Sequence, residues 1–321
     1  MSCLLFKLRF LAPVHFGSGD GALSLYGSEE HFRADTLFSD LCHTALAMGG
    51  QDGLSELLSM GKDGSLRLSD AMPWRDETLY LPKPCVSGEK SQELPARLRK
   101  AVKKLKWIPV EDFAAFSASV QGGEAYVPTG TADFGVHEMH TRAAVYDGDD
   151  TVPYDVGVFR FFENCGLWFL CLCPEEQAAR MEKLVAALGL SGIGGKISSG
   201  CGSFSVEDCI YLDEPFDPQT EWLSQALQAE TGRYLLLSSC LPGEEELDAV
   251  IPEASYQLVR RGGFVQSETH APQPLKKDTQ FFISAGAVLT QRFQGTLFEV
   301  GSGGRHPVYR YSRPVFLGVS L

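Results

Sequence analysis

The order of predicted strands and helices restricts the fold of this chain more than any other feature of its sequence. Residues 4–11 alternate apolar and charged side chains as a strand does, and the strand ends before Pro13 and a group of glycines. A helix is predicted at about residues 36–48, because its apolar residues recur at three- and four-residue spacing. Asp35 or Thr36 is its predicted N-cap. A strand, a loop and then a helix form the first half of a βαββαβ, or ferredoxin-like, unit.

The second half of this unit is predicted to end near residue 212. A strand at about residues 167–173 precedes a helix at about 175–188, which Pro174 opens in a position that suits a first turn. A glycine-rich stretch follows, and residues 203–212 have the pattern of a closing strand.

A long β-hairpin is expected upstream of these elements. Residues 140–146 and 156–162 have strand patterns on either side of the turn-rich stretch 147–153. An exposed tip of this kind is suited to reaching a partner.

The same strand–helix order starts again after a predicted linker at residues 213–219. A strand at residues 233–240 and a short helix at 242–250 are followed by further strand-like runs at about 255–267, 280–289, 293–300 and 307–320. We therefore predict an α+β fold with two ferredoxin-like domains, at residues 1–220 and 232–321.

Composition excludes several classes of protein. Hydrophobic residues make up 44% of the 321 residues and charged residues 21%, which is typical of a folded chain. No apolar run approaches the roughly 20 residues of a membrane-spanning helix, and the first ten residues lack a signal-peptide pattern, so we expect a cytoplasmic protein without membrane contact. The nine cysteines lack metal-ligand spacing, and neither a metal nor a cofactor is predicted.

The charge distribution allows RNA contact only at local surfaces. A net charge of −13 opposes binding of nucleic acid by charge alone, because phosphates need clustered cations. Basic residues nevertheless concentrate between Lys83 and Lys106, and again at Arg305, Arg310 and Arg313. Each cluster is a candidate RNA-facing surface, although the first is equally consistent with a solvated helix face.

The most informative motif is the glycine-rich stretch at residues 192–202, hereafter the glycine loop. Five of its eleven residues are glycine, which permits positive φ and close approach of backbone N–H groups to phosphate oxygens. It is not a Walker A motif, because Leu190 and Ile197 occupy positions that need glycine and a hydroxyl residue. It joins a helix to a strand, the reverse of a dinucleotide-binding loop. An RNA phosphate contact remains, with a surface turn as the alternative.

Five short motifs in a fixed order resemble the RAMP superfamily of CRISPR effector subunits, and in particular the fourth subunits of type III-A Csm complexes, in the Cas5-like group. The likeness extends over residues 4–320 and includes a sixth motif at residues 256–263. The five motifs are His15-Phe-Gly17, Phe32-Arg-Ala-Asp-Thr-Leu-Phe-Ser39, Leu79-Tyr-Leu-Pro-Lys-Pro84, the glycine loop and His306-Pro-Val-Tyr-Arg-Tyr311.

The resemblance implies RRM-related ferredoxin-like domains, with the hairpin as a projecting thumb and the glycine loop against RNA. It implies a non-catalytic subunit in antiviral defence that holds the 5′ handle of the CRISPR RNA (crRNA), near the target RNA. The implied protein partners are the large polymerase/cyclase-type subunit and the backbone RAMP subunit. A metal-independent endoribonuclease that processes CRISPR repeat RNA, with His15 as acid/base, is the competing hypothesis. A protein scaffold whose glycine loop touches no RNA is a third.

The candidate RNA-binding residues combine cations, aromatic rings and loop glycines. Arg33, beside a helix N-terminus, needs an anion, which could be an RNA phosphate or a buried acid. Arg260 and Arg261 could contact RNA or pair between domains, and Tyr309 could stack on a base or pack in the protein. The full set is His15, Arg33, Arg142, Arg160, Gly194, Gly195, Lys196, Ser198, Ser199, Gly200, Arg260, Arg261, His306, Tyr309 and Arg310.

Overall fold

The structure, a computed structural model, describes residues 1–17, 23–86, 100, 102–128, 133–144, 152–267, 269–273 and 275–321. The predicted hairpin tip and most of the basic stretch before Lys103 lie outside the described residues. The strands are β1 (Ser2–Phe10), β2 (Phe16–Gly17), β3 (Ser28–Glu29), β4 (Arg67–Leu68), β5 (Met72–Arg75), β6 (Thr78–Pro82), β7 (Trp107–Pro109), β8 (Gly135–Ala144), β9 (Val152–Phe161), β10 (Cys165–Cys173), β11 (Phe204–Tyr211), β12 (Tyr234–Leu236), β13 (Leu258–Arg261), β14 (Gln280–Ile283), β15 (Val288–Leu289), β16 (Thr296–Glu299), β17 (Tyr309–Ser312) and β18 (Phe316–Gly318). The helices are α1 (Leu23–Tyr26), α2 (Ala34–Asp63), α3 (Phe113–Val120), α4 (Ala178–Ser191), α5 (Pro218–Gln228) and α6 (Leu247–Val250).

A seven-stranded antiparallel sheet organises the molecule. Its main path runs in the order β11, β1, β10, β5, β6 and β7, and β4 also pairs with β10. Because side chains alternate across a strand, β1 contributes to two cores. Leu4 and Phe6 pack under α2 and α4 on one face. Leu5 packs on the other face with Leu235 and Leu317 of the second half.

Helix α2 is longer than the sequence predicted and begins differently. It extends from Ala34 to Asp63 across a kink at Gly50, where φ is 60° and ψ is −152°. The predicted caps Asp35 and Thr36 are wrong, since both lie inside the first turn. The N–H group of Ala34 donates instead to Oδ1 of Asp70 at 2.9 Å, so the cap comes from a residue distant in sequence. Among the described residues, none of the helices is long and apolar enough to cross a membrane.

The second half of the chain is built from short strands. β12 lies between β15 and β18, and two further two-stranded ribbons are formed by β13 with β14 and by β16 with β17. The long strand-like runs of the sequence are therefore interrupted. Tyr311 of β17 packs in the core under α2, and its hydroxyl donates to the carbonyl of Leu66 at 3.0 Å and accepts from the N–H of Leu68 at 2.8 Å. The division at residues 220 and 232 stays a prediction, and the cores cross it.

The hairpin of β8 and β9 is present, with a different boundary. β8 begins at Gly135 rather than at residue 140, and the register runs from Gly135 opposite Phe161 to Ala144 opposite Val152. The hairpin base is held by the core, since Phe134 and Phe159 are both buried there.

Candidate nucleic-acid interface

The inner part of the glycine loop is bound to the protein itself. The N–H of Gly194 donates to Oδ2 of Asp40 and the N–H of Gly195 donates to the carbonyl of His15, both at 2.9 Å. A Cβ on Gly195 would lie 2.7 Å from Cδ2 of His15, and one on Gly194, whose φ is +89°, would lie 2.8 Å from the Phe16 ring. Glycine is therefore required at both positions. Their amides are already used, contrary to the expectation that they face a phosphate.

The outer part of the loop has the groups that can bind an anion. Lys196 has a left-handed backbone with φ 61°, and a 3₁₀ turn, Ile197–Ser199, follows. Within the described chain, the N–H groups of Lys196, Ile197 and Ser198 make no hydrogen bond. Successive unpaired N–H groups beside a cation form an anion-binding concavity.

The loop also contacts the hairpin. The guanidinium of Arg142 donates to the carbonyl of Ser199 at 3.3 Å, and Nζ of Lys196 lies 5.1 Å from the centre of the Tyr154 ring. Cys201 packs with Val156 beneath these contacts. Loop and hairpin therefore form one continuous surface.

A cleft of about 460 Å³, hereafter the glycine-loop cleft, lies between the glycine loop, the start of α2 and the ribbon of β13 and β14. It gathers residues that are far apart in the sequence. The predicted site residues that line it are His15, Arg33, Gly194, Gly195, Arg260, Arg261, Tyr309 and Arg310. Five basic side chains line the cleft against three acidic ones, on a chain whose net charge is −13. They are Arg33, Arg260, Arg261, Lys277 and Arg310 against Glu29, Asp35 and Asp40.

An ion pair at the floor of the cleft joins the two halves. Arg261 donates to both carboxylate oxygens of Asp35, at 2.9 and 2.7 Å, and Nε of Arg310 lies 3.9 Å from Oδ2 of the same carboxylate. Burial alone would raise the pKa of Asp35, but the charge and hydrogen bonds of Arg261, with the charges of Arg310 and Arg33, lower it. Arg261 thus pairs between the halves, one of the two roles expected. Arg310, whose side chain is 3% exposed, also donates to the carbonyl of Asp278 at 2.8 Å.

Other predicted residues in the cleft also have protein partners. Arg33 pairs with Glu29, so its anion is an acid of the chain. The His15 side chain is buried, and its Nδ1 must donate to the carbonyl of Gly157 at 2.7 Å because a carbonyl cannot donate. Tyr309 is partly exposed, with Nζ of Lys62 4.5 Å from its ring centre.

Two charged residues of the cleft were not predicted from the sequence. Asp40 holds the glycine loop, and burial raises its pKa to about 7 even though the N–H of Gly194 and the charge of Lys277 oppose that rise. Burial lowers the pKa of Lys277, because it disfavours the charged amine, although the negative charge of Asp35 opposes this shift. Asp40 could have been noticed as a carboxylate beside the apolar stripe of α2, whereas Lys277 belongs to no motif.

Arg160 and His306 do not line the cleft. Arg160 donates to both oxygens of Glu138 across the hairpin, at 2.8 and 3.1 Å. The pKa of Glu138 falls to about 2 because of hydrogen bonds from Arg160 and then His140. His306 is exposed on a loop, with Nε2 2.9 Å from Oγ of Ser267. Within the part of the chain that the structure describes, no cluster of three or more His, Cys, Asp or Glu residues could hold a metal ion.

Comparison with known proteins identifies the family of this chain. The model of the CRISPR Csm4 C-terminal domain matches residues 229–319. The Csm4 protein of a Mycobacterium tuberculosis CRISPR system is 35% identical over 320 residues, covering 99% of this chain and 98% of the relative. The chain belongs to the Csm4 family. A Streptococcus thermophilus Csm4 protein is 26% identical and covers 96% of both chains. The chain is therefore a CRISPR Csm subunit, as its motifs had indicated.

Chains of solved complexes that contain Csm4 have the same fold. A chain of a Csm1–Csm4 cassette in complex with cA4 matches with a TM-score of 0.61 at 20% identity, covering 100% of this chain and 99% of that one. A chain of a Csm3–Csm4 subcomplex from a type III-A interference complex matches with a TM-score of 0.62 at 17% identity, covering 99% of both. At these identities the likeness describes the fold, a mixed α and β architecture with antiparallel sheets.

Proposed function

We propose that the chain is a non-catalytic, RNA-binding subunit of a type III-A CRISPR effector complex. It holds the 5′ handle of the crRNA and links the large polymerase/cyclase-type subunit to the backbone RAMP subunits. The relatives found in Csm1–Csm4 and Csm3–Csm4 assemblies support these two protein contacts.

The glycine-loop cleft is the observation that carries the proposal. It concentrates cations on an acidic chain, and it lies beside the unpaired N–H groups of residues 196–198. Cationic grooves with neighbouring aromatic rings are typical of sites for single-stranded RNA. Lys277 and Tyr309 of the cleft, together with Lys196 of the adjoining glycine loop, provide these two kinds of group, whereas Arg261 and Arg310 stabilise the cleft wall.

The arrangement of the first half supports a ferredoxin-like unit. β1, α2, β5, β10, α4 and β11 follow one another in the βαββαβ sequence, and their strands lie in the order β11, β1, β10, β5. In this reading the β8–β9 hairpin is the thumb.

Binding is expected to depend on the assembly. The acidic body repels phosphates, so the isolated chain should bind handle RNA weakly at physiological salt, and neighbouring subunits should supply further contacts. A nanomolar Kd for the isolated chain would contradict this part of the proposal.

The experiment compares purified complexes that carry Lys196→Ala with Ser199→Ala, Lys277→Ala, or the control Lys183→Ala. Lys183 is an exposed lysine of α4 that does not line the cleft. Loss of a charged hydrogen bond costs about 1.5–3 kcal/mol, so the loop variant and the cleft variant should bind handle RNA roughly tenfold or more weakly while the control is unchanged. Intact complexes with unchanged RNA binding in both of these variants would favour a scaffold without RNA contact.

Catalysis is tested on the same material. Repeat RNA incubated with the purified chain in EDTA should stay intact. Cleavage that disappears in His15→Ala would replace the proposal by the endoribonuclease hypothesis, since His15 lines the cleft.

A further inference from the structure

A second hollow adjoins the glycine-loop cleft. It has a volume of about 820 Å³ and lies between the turn at residues 82–86, the segment 103–107 and the outer ends of β13 and β14. His31 and Arg33 line both hollows, so the two meet at the start of α2. We call it the lysine groove, after Lys83, Lys103, Lys104 and Lys106.

The charges of the lysine groove are only partly neutralised within the protein. Lys83 donates to the carbonyl of Val102 at 2.6 Å, and Lys106 lies 3.3 Å from a carboxylate oxygen of Glu30. Lys103 and Lys104 are exposed, and neither forms an ion pair within the described ranges. They are therefore available to an external anion.

The one acidic residue among the described residues that line the lysine groove already accepts three hydrogen bonds from the protein. Asp70 is 1% exposed and accepts from the N–H of Ala34 at 2.9 Å, the N–H of Ser239 at 2.8 Å and the hydroxyl of Ser239 at 2.5 Å. His31 stays neutral, because burial and the charge of Arg33 lower its pKa to about 3. Four lysines and Arg33 face this one buried carboxyl group, so the potential in the groove is positive.

The remaining wall has groups that suit a nucleic acid. Ser255, Gln257 and Ser284 are neutral hydrogen-bonding residues, and Tyr256 is 36% exposed at the rim. Phosphate-binding lysines beside an exposed aromatic ring are the two elements of sites for single strands.

We propose that the lysine groove binds a stretch of single-stranded RNA that is continuous with the strand in the glycine-loop cleft. Lys103 and Lys104 neutralise its phosphates, and Tyr256 stacks on one base. This inference rests on the proposed function and extends the RNA contact to the basic segment that the first half contributes. The strand is either the crRNA itself or a target RNA, whose phosphates are chemically the same.

The test uses the assembled complex with Lys103→Glu and Lys104→Glu combined. The matched control, Lys183→Glu with Arg233→Glu, makes the same charge change at exposed residues outside both hollows. In separate arms, 4-thiouridine is placed in the crRNA or in the target RNA, and the cross-linked peptides are identified by mass spectrometry.

One labelled RNA should cross-link to the peptide of Lys103 or to that of Tyr256, and the groove variant should lose this cross-link by at least tenfold. Cross-links to the glycine loop should persist, and the control should match the unmodified complex. The slope of log K against log salt should fall by about 1.4 for two lost phosphate contacts.

Two results would overturn the proposal. One is the same cross-links and the same salt slope in the groove variant as in the unmodified complex. The other is loss of a partner subunit without any RNA cross-link in the groove, which would assign the groove to an acidic protein segment. Absence of cross-links to the glycine loop in the unmodified complex would instead count against the proposed function, which separates the two failures.

Discussion

Removal of the Asp35 carboxylate should be among the most destabilising single changes in the cleft. In Asp35→Ala, Arg261 and Arg310 would keep their charges, with side chains only 18% and 3% exposed and without the carboxylate that faces both. Breaking a buried pair by removing one partner costs about 3–5 kcal/mol, because the charge that remains is left unpaired in the interior. Against a typical stability of about 5–15 kcal/mol, that loss is large.

The chain offers a matched control on its surface. Arg160 and Glu138 form a bidentate pair of the same chemistry, with Nε 2.8 Å from Oε1, but the side chains are 50% and 29% exposed. Exposed pairs contribute about 0–1 kcal/mol. Glu138→Ala should therefore change stability little, although it removes the same kind of interaction.

Urea unfolding, followed by fluorescence of the buried Trp74 and Trp168, measures both variants. The pH dependence provides a second check. A carboxyl group whose pKa is lowered in the folded state stabilises above its unfolded pKa, and this contribution is lost as pH falls through the folded value. The difference in free energy of unfolding between Asp35→Ala and the unmodified chain should therefore become smaller at acidic pH. If Asp35→Ala lowers the free energy of unfolding by less than about 1 kcal/mol, or by no more than Glu138→Ala does, the reasoning is refuted.

Three further changes test other parts of the structure. Gly195→Ala should displace the glycine loop and weaken RNA binding, because its Cβ would lie 2.7 Å from His15. Gly232→Ala, with φ +72° but open space around it and a position outside the loop and the cleft, should cost only about 1–2 kcal/mol of stability and leave RNA binding intact. Asp40→Asn should stabilise the chain by about 4 kcal/mol at pH 8 and by much less at pH 4, because a carboxyl group whose folded pKa is raised to about 7 opposes folding increasingly between those pH values. Equal effects at both pH values in urea unfolding would contradict this prediction. Tyr311→Phe should lower the free energy of unfolding by about 1–3 kcal/mol, because it leaves a buried backbone N–H and carbonyl without their partner. An unchanged thermal midpoint would show that water replaces the hydroxyl group.

Local pattern sufficed for two successive elements of the first half. The strand at residues 167–173 and the helix that follows were predicted within a few residues, because an unbroken apolar run and a proline at a helix start are local signals. The start of α2 was predicted wrongly, because its cap, Asp70, is distant in sequence. The strands of the second half were predicted too long, because the runs are interrupted near Gly263, Gly286 and Gly295, whose φ angles are positive.

The candidate site was predicted in its chemistry more than in its geometry. Cations, glycines and aromatic residues were selected by type, and eight of them line one cleft. Their partners could not be read from the chain, since the Arg261 and Asp35 carboxylate pair spans 226 residues. Lys277 has no sequence signal at all, and only the folded structure brings it next to Asp40.

The hydrogen bonds of Tyr311 have a consequence for how the protein is made. Synthesis proceeds from the N-terminus, so β1, α2 and β4 leave the ribosome long before the residue that satisfies the backbone of Leu66 and Leu68. The ion pair at the floor of the cleft likewise cannot form until Arg261 has been made, because Asp35 has no such partner before then. A nascent or truncated chain would thus have the glycine loop without the cleft beneath it. The cleft in which we propose that RNA binds can therefore form only once Arg261 and Arg310 of the second half have been made.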